Sequence, residues 1–204
     1  MAKKKYYAVV EGTAPGIYES WEECNRILQE HGGKCKGFAE RAEAENFING
    51  IVEVDTYEGL TAFVDGSFEV TLGRYGFGCV ILRPGKEPLE YCGSGNNEAS
   101  AALRNVTGEM LGSMFAVKWA MAHGYHEILI CYDYEGIEKW ATGAWKAKTD
   151  LTSKYASAMK EWNASIQISF RKIAAHTGNR FNERADHLAR LAIQDETPIP
   201  DFRL

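Results

Sequence analysis

The chain lacks the features of secreted, membrane-spanning and strongly basic nucleic-acid-binding proteins. Its 204 residues carry a formal net charge of −5, so binding to nucleic acid would have to come from local patches. Its five cysteines include no CxxC pair, and no apolar run approaches the length of a membrane span. There is no internal repeat and no low-complexity tract. These absences favour a globular protein, and 45% hydrophobic residues are enough to bury a core.

The cysteines are odd in number and fall mostly on apolar segments, at Cys24, Cys35, Cys79, Cys92 and Cys131. This pattern is typical of reduced, packed thiols in a cytoplasmic protein and not of a disulfide framework. The opening MAKKKYYAVVEG is basic but has no apolar segment of the kind that a secretion signal needs. We therefore expect a cytoplasmic protein without a membrane segment.

Residues 1–48 predict a small α+β module. YYAVV predicts a strand, and the Gly- and Pro-containing GTAPGIY predicts a turn into a second strand. A helix should begin after Ser20 in SWEECNRILQEHGG and end at Gly32 and Gly33. KCKGF and RAEAENFI predict a third strand and a second helix. Residues 49–59 have neither periodicity, and we expect a linker there.

Residues 60–195 predict a larger α/β unit, followed by a tail over 196–204. LTAFVDGSF, YGFGCVILRP and PLEYCGSG predict three strands of an antiparallel meander. An apolar stripe at helical spacing then predicts a helix, with Val106, Met110, Met114, Val117 and Met121 on one side. EILICYD predicts a buried parallel strand. Two helices over GIEKWATGAW and TSKYASAMKEW, a strand over ASIQISFRKIAAH and a helix over NERADHLARLAI complete the unit.

Four carboxylates stand out by their sequence contexts: Asp65 in AFVDGSF, Glu109 in RNVTGEM, Asp133 in LICYDYEG and Asp186 in NERADHLA. Asp65 and Asp133 each end an apolar strand, so they lie side by side if those strands are neighbours. We expect Glu109 in the first turn of its helix and Asp186 early in the last helix. From there both side chains can reach the ends of the strands. Acids gathered in this way repel one another unless a cation holds them, and carboxylate ligands favour Mg²⁺ or Mn²⁺.

Each acid taken alone also has an ordinary structural explanation. The DG after Val64 is usually a turn, and Glu109 would suit a helix dipole. Asp133 would serve as a cap for the helix at GIEKW, and Asp186 would pair with Arg190 at i+4. The metal-site hypothesis depends on the order, spacing and flanking sequence of the four acids together.

The segments VDGS, RNVTGE, YDYEGIEKWATGAWKAK and AHTGNRFNERADHLAR, in this order, resemble type 1 ribonuclease H, which cuts the RNA strand of RNA–DNA hybrids. The resemblance covers about two thirds of the chain. It implies a ribonuclease H-like five-stranded mixed sheet with flanking helices. It also implies endonucleolytic hydrolysis by a two-metal-ion mechanism that leaves 5′-phosphate and 3′-hydroxyl ends.

The same resemblance assigns roles to individual residues. It implies two Mg²⁺ ions, with Mn²⁺ as a substitute, held by Asp65, Glu109, Asp133 and Asp186. His176, ten residues before Asp186, matches the loop histidine implied in proton transfer or product release, although a loop histidine is more often packed or solvated.

The implied contacts to the hybrid involve five further residues. Asn105 matches a position that touches an RNA 2′-hydroxyl, and the backbone at Gly66 and Ser67 should do similar work. Arg104 falls at the position of a phosphate-pocket residue and would hold a DNA phosphate. Asn182 either borders the site or serves only as a helix N-cap.

Two departures from the family pattern affect substrate binding. Some members carry a strongly basic helix where this chain has WKAKTDLTSKYAS, so this element should contribute little to binding of the hybrid. Within it Trp145 is a candidate for stacking on the DNA strand, whereas we expect Trp140 in the core. Glu69 stands where relatives often carry Asn, and no role is assigned to it.

The first module resembles the hybrid-binding domain appended to many ribonucleases H and found in caulimovirus proteins, through YYAVVEGTAPGIYESWEEC and KCKGF. This implies that Tyr7 and Trp21 pack on DNA sugars and that Lys36 meets a phosphate. Residues 1–50 hold seven Lys and Arg against eight Asp and Glu, so hybrid binding should be weak, or replaced by a protein partner.

Two other functions remain open from the sequence. A non-catalytic hybrid-binding adaptor would share the fold, and the intact set of four acids argues against it. Integrases, transposases and some exonucleases share this sheet and its acids, although RNVTGE and AHTGN favour ribonuclease H. The partner expected in the leading hypothesis is an RNA–DNA hybrid, with no membrane and an oligomeric state that the sequence does not indicate.

Overall fold

The computed structural model describes residues 5–10, 12–48, 59–173 and 179–200. The chain divides into two compact units, one built mainly from the residues before 57 and the other from nearly all of the rest. Residues 49–58 of the expected linker and residues 201–204 of the expected tail lie outside the described parts. None of the helices described combines the length and the hydropathy that a bilayer span requires.

The first unit is the small β-β-α-β-α module that the sequence predicts. Its elements are β1 (Tyr6–Val10), β2 (Gly16–Tyr18), α1 (Trp21–His31), β3 (Lys34–Phe38) and α2 (Arg41–Ile48). The strands form an antiparallel sheet in the order β2-β1-β3. Helix α1 begins where the Ser20 hydroxyl accepts a hydrogen bond from the Glu23 N–H and ends at Gly32, whose φ of 69° suits a residue without a side chain.

The two helices of the module cover opposite faces of its sheet. Tyr7 of β1 packs against Trp21 of α1, with ring centroids 5.6 Å apart. Ala8, the next residue, pairs with Lys36 of β3, so Lys36 points to the other face. There the Lys36 Nζ lies 5.4 Å from the ring centroid of Phe47 on α2. Both sides of β1 are therefore covered.

The second unit is an α/β domain around a five-stranded mixed sheet. Its elements are β4 (Leu60–Glu69), β5 (Arg74–Arg83), β6 (Lys86–Gly95), α3 (Glu98–Ala101), α4 (Asn105–Ala122), β7 (Glu127–Tyr132), α5 (Gly136–Ala141), α6 (Asp150–Trp162), β8 (Gln167–Lys172) and α7 (Arg180–Gln194). The strand order is β6-β5-β4-β7-β8; β4, β5 and β6 are antiparallel, and β7 and β8 run parallel to β4. The sheet is the one expected, and α3 is an addition that the sequence pattern does not predict.

Two hydrophobic cores lie on the two faces of this sheet, because side chains alternate along each strand. Val64 of β4 belongs to the larger core, which includes α4. Its neighbour Phe63 belongs to the smaller core, which includes α7. The sheet is therefore sandwiched between helices, and its strand ends are left available for a site.

Glycines allow both helices to approach the strands at the end that carries Asp65. A Cβ added at Gly66 would lie 2.0 Å from the Asn105 carbonyl oxygen of α4. A Cβ added at Gly78 would lie 1.9 Å from the Ala185 carbonyl oxygen of α7. Larger residues would push the helices away from the sheet and from Asp65.

Candidate active site

Asp65 lies on β4 and Asp133 directly follows the adjacent parallel strand β7, so the condition for the two acids to lie side by side is met. The pairing of β4 with β7 runs as far as Phe63 opposite Cys131, and Asp133 directly follows β7. The expectation that Asp65 ends its strand is wrong, because β4 continues to Glu69 in its pairing with β5. Asp65 instead lies just beyond the last residue of β4 that pairs with β7. The two carboxylates therefore lie at the same end of the parallel pair of strands β4 and β7.

Glu109 lies between the sheet and α4 and is only 2% exposed. The expectation of a first-turn position is wrong: α4 begins at Asn105, so Glu109 is its fifth residue. Its Oε1 accepts hydrogen bonds from the backbone N–H groups of Asp133 at 3.1 Å and Tyr134 at 3.2 Å. The loop that carries Asp133 therefore fixes the Glu109 carboxylate.

Electrostatic repulsion couples the acids. Burial, with Asp133 as the next cause, raises the pKa of Asp65 from 3.8 to about 7, and Asp186 adds to the rise. The N–H of Gly66, which donates to Asp65 Oδ1 at 2.7 Å, opposes it. Burial and the charges of Asp133 and Asp65 also raise the pKa of Glu109 well above its usual range. Asp65 is thus coupled electrostatically to Asp133 and Asp186, and Glu109 is coupled to Asp133 and Asp65.

Asp186, on α7, is paired with Arg190 one turn later. The Arg190 Nε donates to Asp186 Oδ1 at 3.0 Å, and a second guanidinium nitrogen donates to Oδ2. Asp186 therefore forms the i,i+4 ion pair with Arg190 and is also close enough to Asp65 to raise its pKa. Asn182 is buried and is the third residue of α7, so the alternative that it is the helix N-cap is wrong.

In the described parts of the chain, no three His, Cys, Asp or Glu side chains stand in a ready-made metal-binding arrangement. Separate donors hold the acids: backbone N–H groups hold Glu109, and Arg190 holds Asp186. The donor set nevertheless fits Mg²⁺ chemically, because it consists of hard carboxylate oxygens. Buried acids that raise one another's pKa are also the groups that a divalent cation would relieve.

The candidate substrate residues near Gly66 lie at the start of α4. Arg104 and Asn105 are both exposed, and the Asn105 backbone packs directly on Gly66. Arg104 has φ of 52°, a left-handed conformation that is uncommon for a residue with a side chain. Ser67 follows on β4 and is half-buried. His176 lies outside the described residues, so its predicted role stays a prediction.

A cavity of about 440 Å³ lies beside α5 and combines aromatic and basic side chains. Trp145 and the exposed Lys146 and Lys148 line part of it, and Trp145 is 40% exposed. Trp140 packs against the larger core, as expected. The sequence pattern predicts a weakly basic element here but not a cavity. The one sequence signal for the cavity is the alternation of Lys in WKAK.

In the first module the structure brings together two of the three predicted hybrid-binding residues. Tyr7 contacts Trp21, and Trp21 is 52% exposed. Lys36 lies on the opposite face of the sheet, against Phe38 and Phe47. The three residues therefore do not form a single patch on one face.

Two family models match the chain. One, described as the ribonuclease H1 N-terminal domain, matches residues 5–48, and the other, described as RNase H, matches residues 57–194. Among curated relatives, the ribonuclease HI of Synechocystis sp. is 25% identical over 163 residues, covering 72% of this chain and 94% of that protein. The ribonuclease H of Wolbachia pipientis wMel is 36% identical over 64 residues, covering 30% and 44%.

Solved structures have the same fold as the second unit. The RNase H1 of the halophilic archaeon Halobacterium salinarum NRC-1 superposes with a TM-score of 0.56 at 23% identity, over 67% of this chain and 98% of that one. LC11-RNase H1, solved in complex with an RNA/DNA hybrid, gives a TM-score of 0.55 at 20% identity, over 67% and 97%.

Proposed function

The chain belongs to the ribonuclease H family, and from that premise we propose that it hydrolyses the RNA strand of RNA–DNA hybrids endonucleolytically, leaving 5′-phosphate and 3′-hydroxyl ends. The observation that carries the proposal is the mutual repulsion of Asp65, Glu109 and Asp133 where β4 and β7 adjoin. The hybrid complex of LC11-RNase H1 supports the choice of substrate. Clustered acids whose pKa values are raised by burial and by one another are typical of functional sites.

The proposed metal ligands are Asp65, Glu109, Asp133 and Asp186, which would hold two Mg²⁺ ions or, in substitution, Mn²⁺. Bound there, the ions would activate a water and stabilise the leaving oxygen of a phosphoryl transfer. The protein's own part is orientation: the N–H groups of Asp133 and Tyr134 hold Glu109. The positive charge of Arg190 partly neutralises Asp186 and so reduces the repulsion among the four acids.

Recognition of the RNA strand is proposed for residues around Gly66. Asn105 and the backbone at Gly66 and Ser67 would contact 2′-hydroxyls, which is how a site tells RNA from DNA. The close packing of Gly66 on Asn105 supports their acting together. Asn182 would border the site from α7, and His176 would transfer a proton or assist product release.

The DNA strand is proposed to lie along Arg104 and the cavity beside α5. Arg104 is exposed and would hold a phosphate. Trp145, with Lys146 and Lys148 beside it, offers the stacking surface and positive charge that nucleic-acid strands use. In the first module, Tyr7 and Trp21 would pack on DNA sugars, and Lys36 would add a phosphate contact of its own.

We also place the enzyme in the cytoplasm, where thiols are kept reduced. The five cysteines are thiols in the structure, and Cys24, Cys79 and Cys131 are buried, as the packed thiols expected of a cytoplasmic protein would be.

The test is a gel assay of the purified chain with Mg²⁺ on a labelled RNA–DNA hybrid, beside duplex RNA, duplex DNA and single-stranded RNA, with and without EDTA. We expect EDTA-sensitive cutting of the hybrid's RNA strand alone. Binding of hybrid without any cutting would replace the proposal with a non-catalytic adaptor. Cutting of duplex DNA would replace it with an integrase- or exonuclease-like activity on the same sheet.

A further inference from the structure

Two cysteine side chains of the first module are in direct contact. The Sγ atoms of Cys24 on α1 and Cys35 on β3 lie 2.7 Å apart. The two residues are eleven positions apart in the sequence, and both sulfurs are thiols in the structure. The contact joins the helix to an edge strand of the sheet.

The two thiols differ in accessibility in a way that suits stepwise oxidation. Cys24 is fully buried, whereas Cys35 is half-buried. A small reagent in solution therefore reaches Cys35 first, and Cys24 can then react with the sulfur of Cys35 that it contacts. Among the remaining cysteines Cys79 and Cys131 are buried, and Cys92 is half-buried.

The module also has little apolar core to hold it together. Among its described residues, the buried hydrophobic side chains are small: Ala8, Val9, Cys24 and Ala44. Small secreted domains with so little buried surface are commonly stabilised by a disulfide, and a crosslink would stabilise this module in the same way whenever its two thiols are oxidised. One of the four core residues is itself a member of the cysteine pair.

We propose that Cys24 and Cys35 form a reversible disulfide, and that a small-molecule disulfide is the oxidant. The Cys35 thiolate attacks one sulfur of the oxidant, which releases one small thiolate and leaves a mixed disulfide on Cys35. The Cys24 thiolate then attacks the Cys35 sulfur and expels the second small thiolate. The two protein thiols lose two protons and two electrons; the oxidant gains both and leaves as two thiols.

The disulfide would fasten α1 to the face of the sheet that carries Tyr7 and Trp21. Trp21 lies one helical turn before Cys24 on α1, and Tyr7 lies on the same face of the sheet as Cys35. Closing a short loop of this kind reduces the freedom of the unfolded module and therefore makes its local opening less favourable. The oxidised state is thus the more rigid form of the Tyr7–Trp21 surface.

The experiment treats the reduced, full-length chain with oxidised glutathione, blocks the remaining thiols by alkylation and maps the peptides by mass spectrometry. Amide exchange over residues 21–38 is measured on the same samples. The variant is Cys35→Ser, and the matched control is Cys92→Ser, which removes the other half-buried cysteine. None of these readings involves nuclease activity, so the result is separate from that of the hybrid-cleavage assay.

We expect a peptide linked through Cys24 and Cys35 in the wild type and in Cys92→Ser, reversed by dithiothreitol and absent from Cys35→Ser. Exchange over residues 21–38 should slow by roughly 10- to 100-fold on oxidation. Two alkylated thiols, or glutathione retained on Cys35 without linkage to Cys24, would overturn the proposal. Linkage with unchanged exchange would overturn the stabilising role. The linkage is read in the wild-type chain, so the outcome does not depend on whether a variant folds.

Discussion

At the scale of single residues, the fold places two acids of the candidate site in surroundings that disfavour their charged forms. Glu109 is almost completely buried, and Asp65 is half-buried beside Asp133. Each carries a raised pKa because burial and a neighbouring charge disfavour the ionised form. The Arg190 side chain supplies a positive charge at the site: it lowers the pKa of Asp65 and pairs with Asp186. The repulsion that remains is what a bound divalent ion would relieve.

The first prediction concerns Asp65→Asn and pH. The folded-state pKa of Asp65 is about 7 against an ordinary 3.8, so the fold favours the protonated acid. The stability from that preference is complete below about pH 4 and is lost as the pH rises to 7 and above. In EDTA, urea unfolding should show that wild type loses free energy of unfolding across this window relative to Asp65→Asn, by roughly 4 kcal/mol at most.

The matched control for this prediction is Asp150→Asn, which changes an exposed acid of α6 paired with Lys154. Its stability should follow that of the wild type across the same pH range. Adding Mg²⁺ should restore the wild type at pH 8 and leave Asp65→Asn little changed. A difference between wild type and Asp65→Asn that stays constant from pH 4 to pH 8 would show that burial of the Asp65 charge does not destabilise the fold.

At the scale of elements, local signals predicted the first module closely and the site less so. Ser20 and Gly32 mark the ends of α1 in the sequence and in the structure. The start of α4 has no such mark, because Arg104 at the N-cap makes no side-chain capping bond. Glu109 lies in the second turn of α4, whereas the sequence pattern predicts the first. The four-residue α3 is too short to show a helical period.

The parts that sequence could not predict depend on strand pairing and helix docking. The continuation of β4 beyond Asp65 depends on its partner β5, which local pattern does not identify. The separation of Lys36 from Tyr7 follows from strand parity and becomes visible only once β1 and β3 are in register. Asp186 pairs with Arg190 on its own helix, but its effect on Asp65 depends on how α7 docks on the sheet.

The second prediction concerns Gly66→Ala, which acts on the packing of α4 against β4. The added Cβ would lie 2.0 Å from the Asn105 carbonyl and 2.5 Å from the Glu109 nitrogen, both backbone atoms that cannot turn aside. The helix must shift, and with it Glu109. We expect a loss of roughly 3 kcal/mol or more in the free energy of unfolding, together with loss of hybrid cleavage. Urea unfolding and a cleavage assay measure the two effects.

The control is Gly73→Ala, where φ is 56° and a new Cβ has no heavy atom within 4 Å. It should cost only the backbone strain, about 1 kcal/mol, and leave cleavage intact. Equal losses for the two variants would mean that close packing at Gly66 does not position Glu109.

At the scale of the whole molecule, charge and architecture point to localised binding surfaces. The formal net charge is −5, and residues 1–50 hold seven Lys and Arg against eight Asp and Glu. General attraction to phosphate is therefore weak, and affinity must come from defined contacts. The exposed candidates are Trp21 in the first unit and Trp145, Lys146 and Lys148 in the second.

The third prediction follows for the first unit. Trp21→Ala should weaken binding of a hybrid by the full-length chain about fivefold or more, because an exposed aromatic that packs on a nucleic-acid strand contributes substantially to affinity. Lys36→Ala should have the smaller effect, since Lys36 lies on the opposite face of the sheet from Tyr7. Fluorescence anisotropy with a labelled hybrid in EDTA measures both. A larger effect of Lys36→Ala would transfer the binding surface to the face covered by α2.

The most direct test of the account as a whole is single-turnover cleavage of a hybrid in Mg²⁺ by wild type, Asp133→Asn and Asp150→Asn, with hybrid binding measured in parallel. Asp133 adjoins both Asp65 and Glu109, and its loss removes a ligand charge while keeping the side-chain shape. We predict that Asp133→Asn cleaves at least about a thousandfold more slowly and binds hybrid nearly as well, while Asp150→Asn behaves as wild type. Wild-type-like cleavage by Asp133→Asn would contradict the assignment of catalysis to these acids.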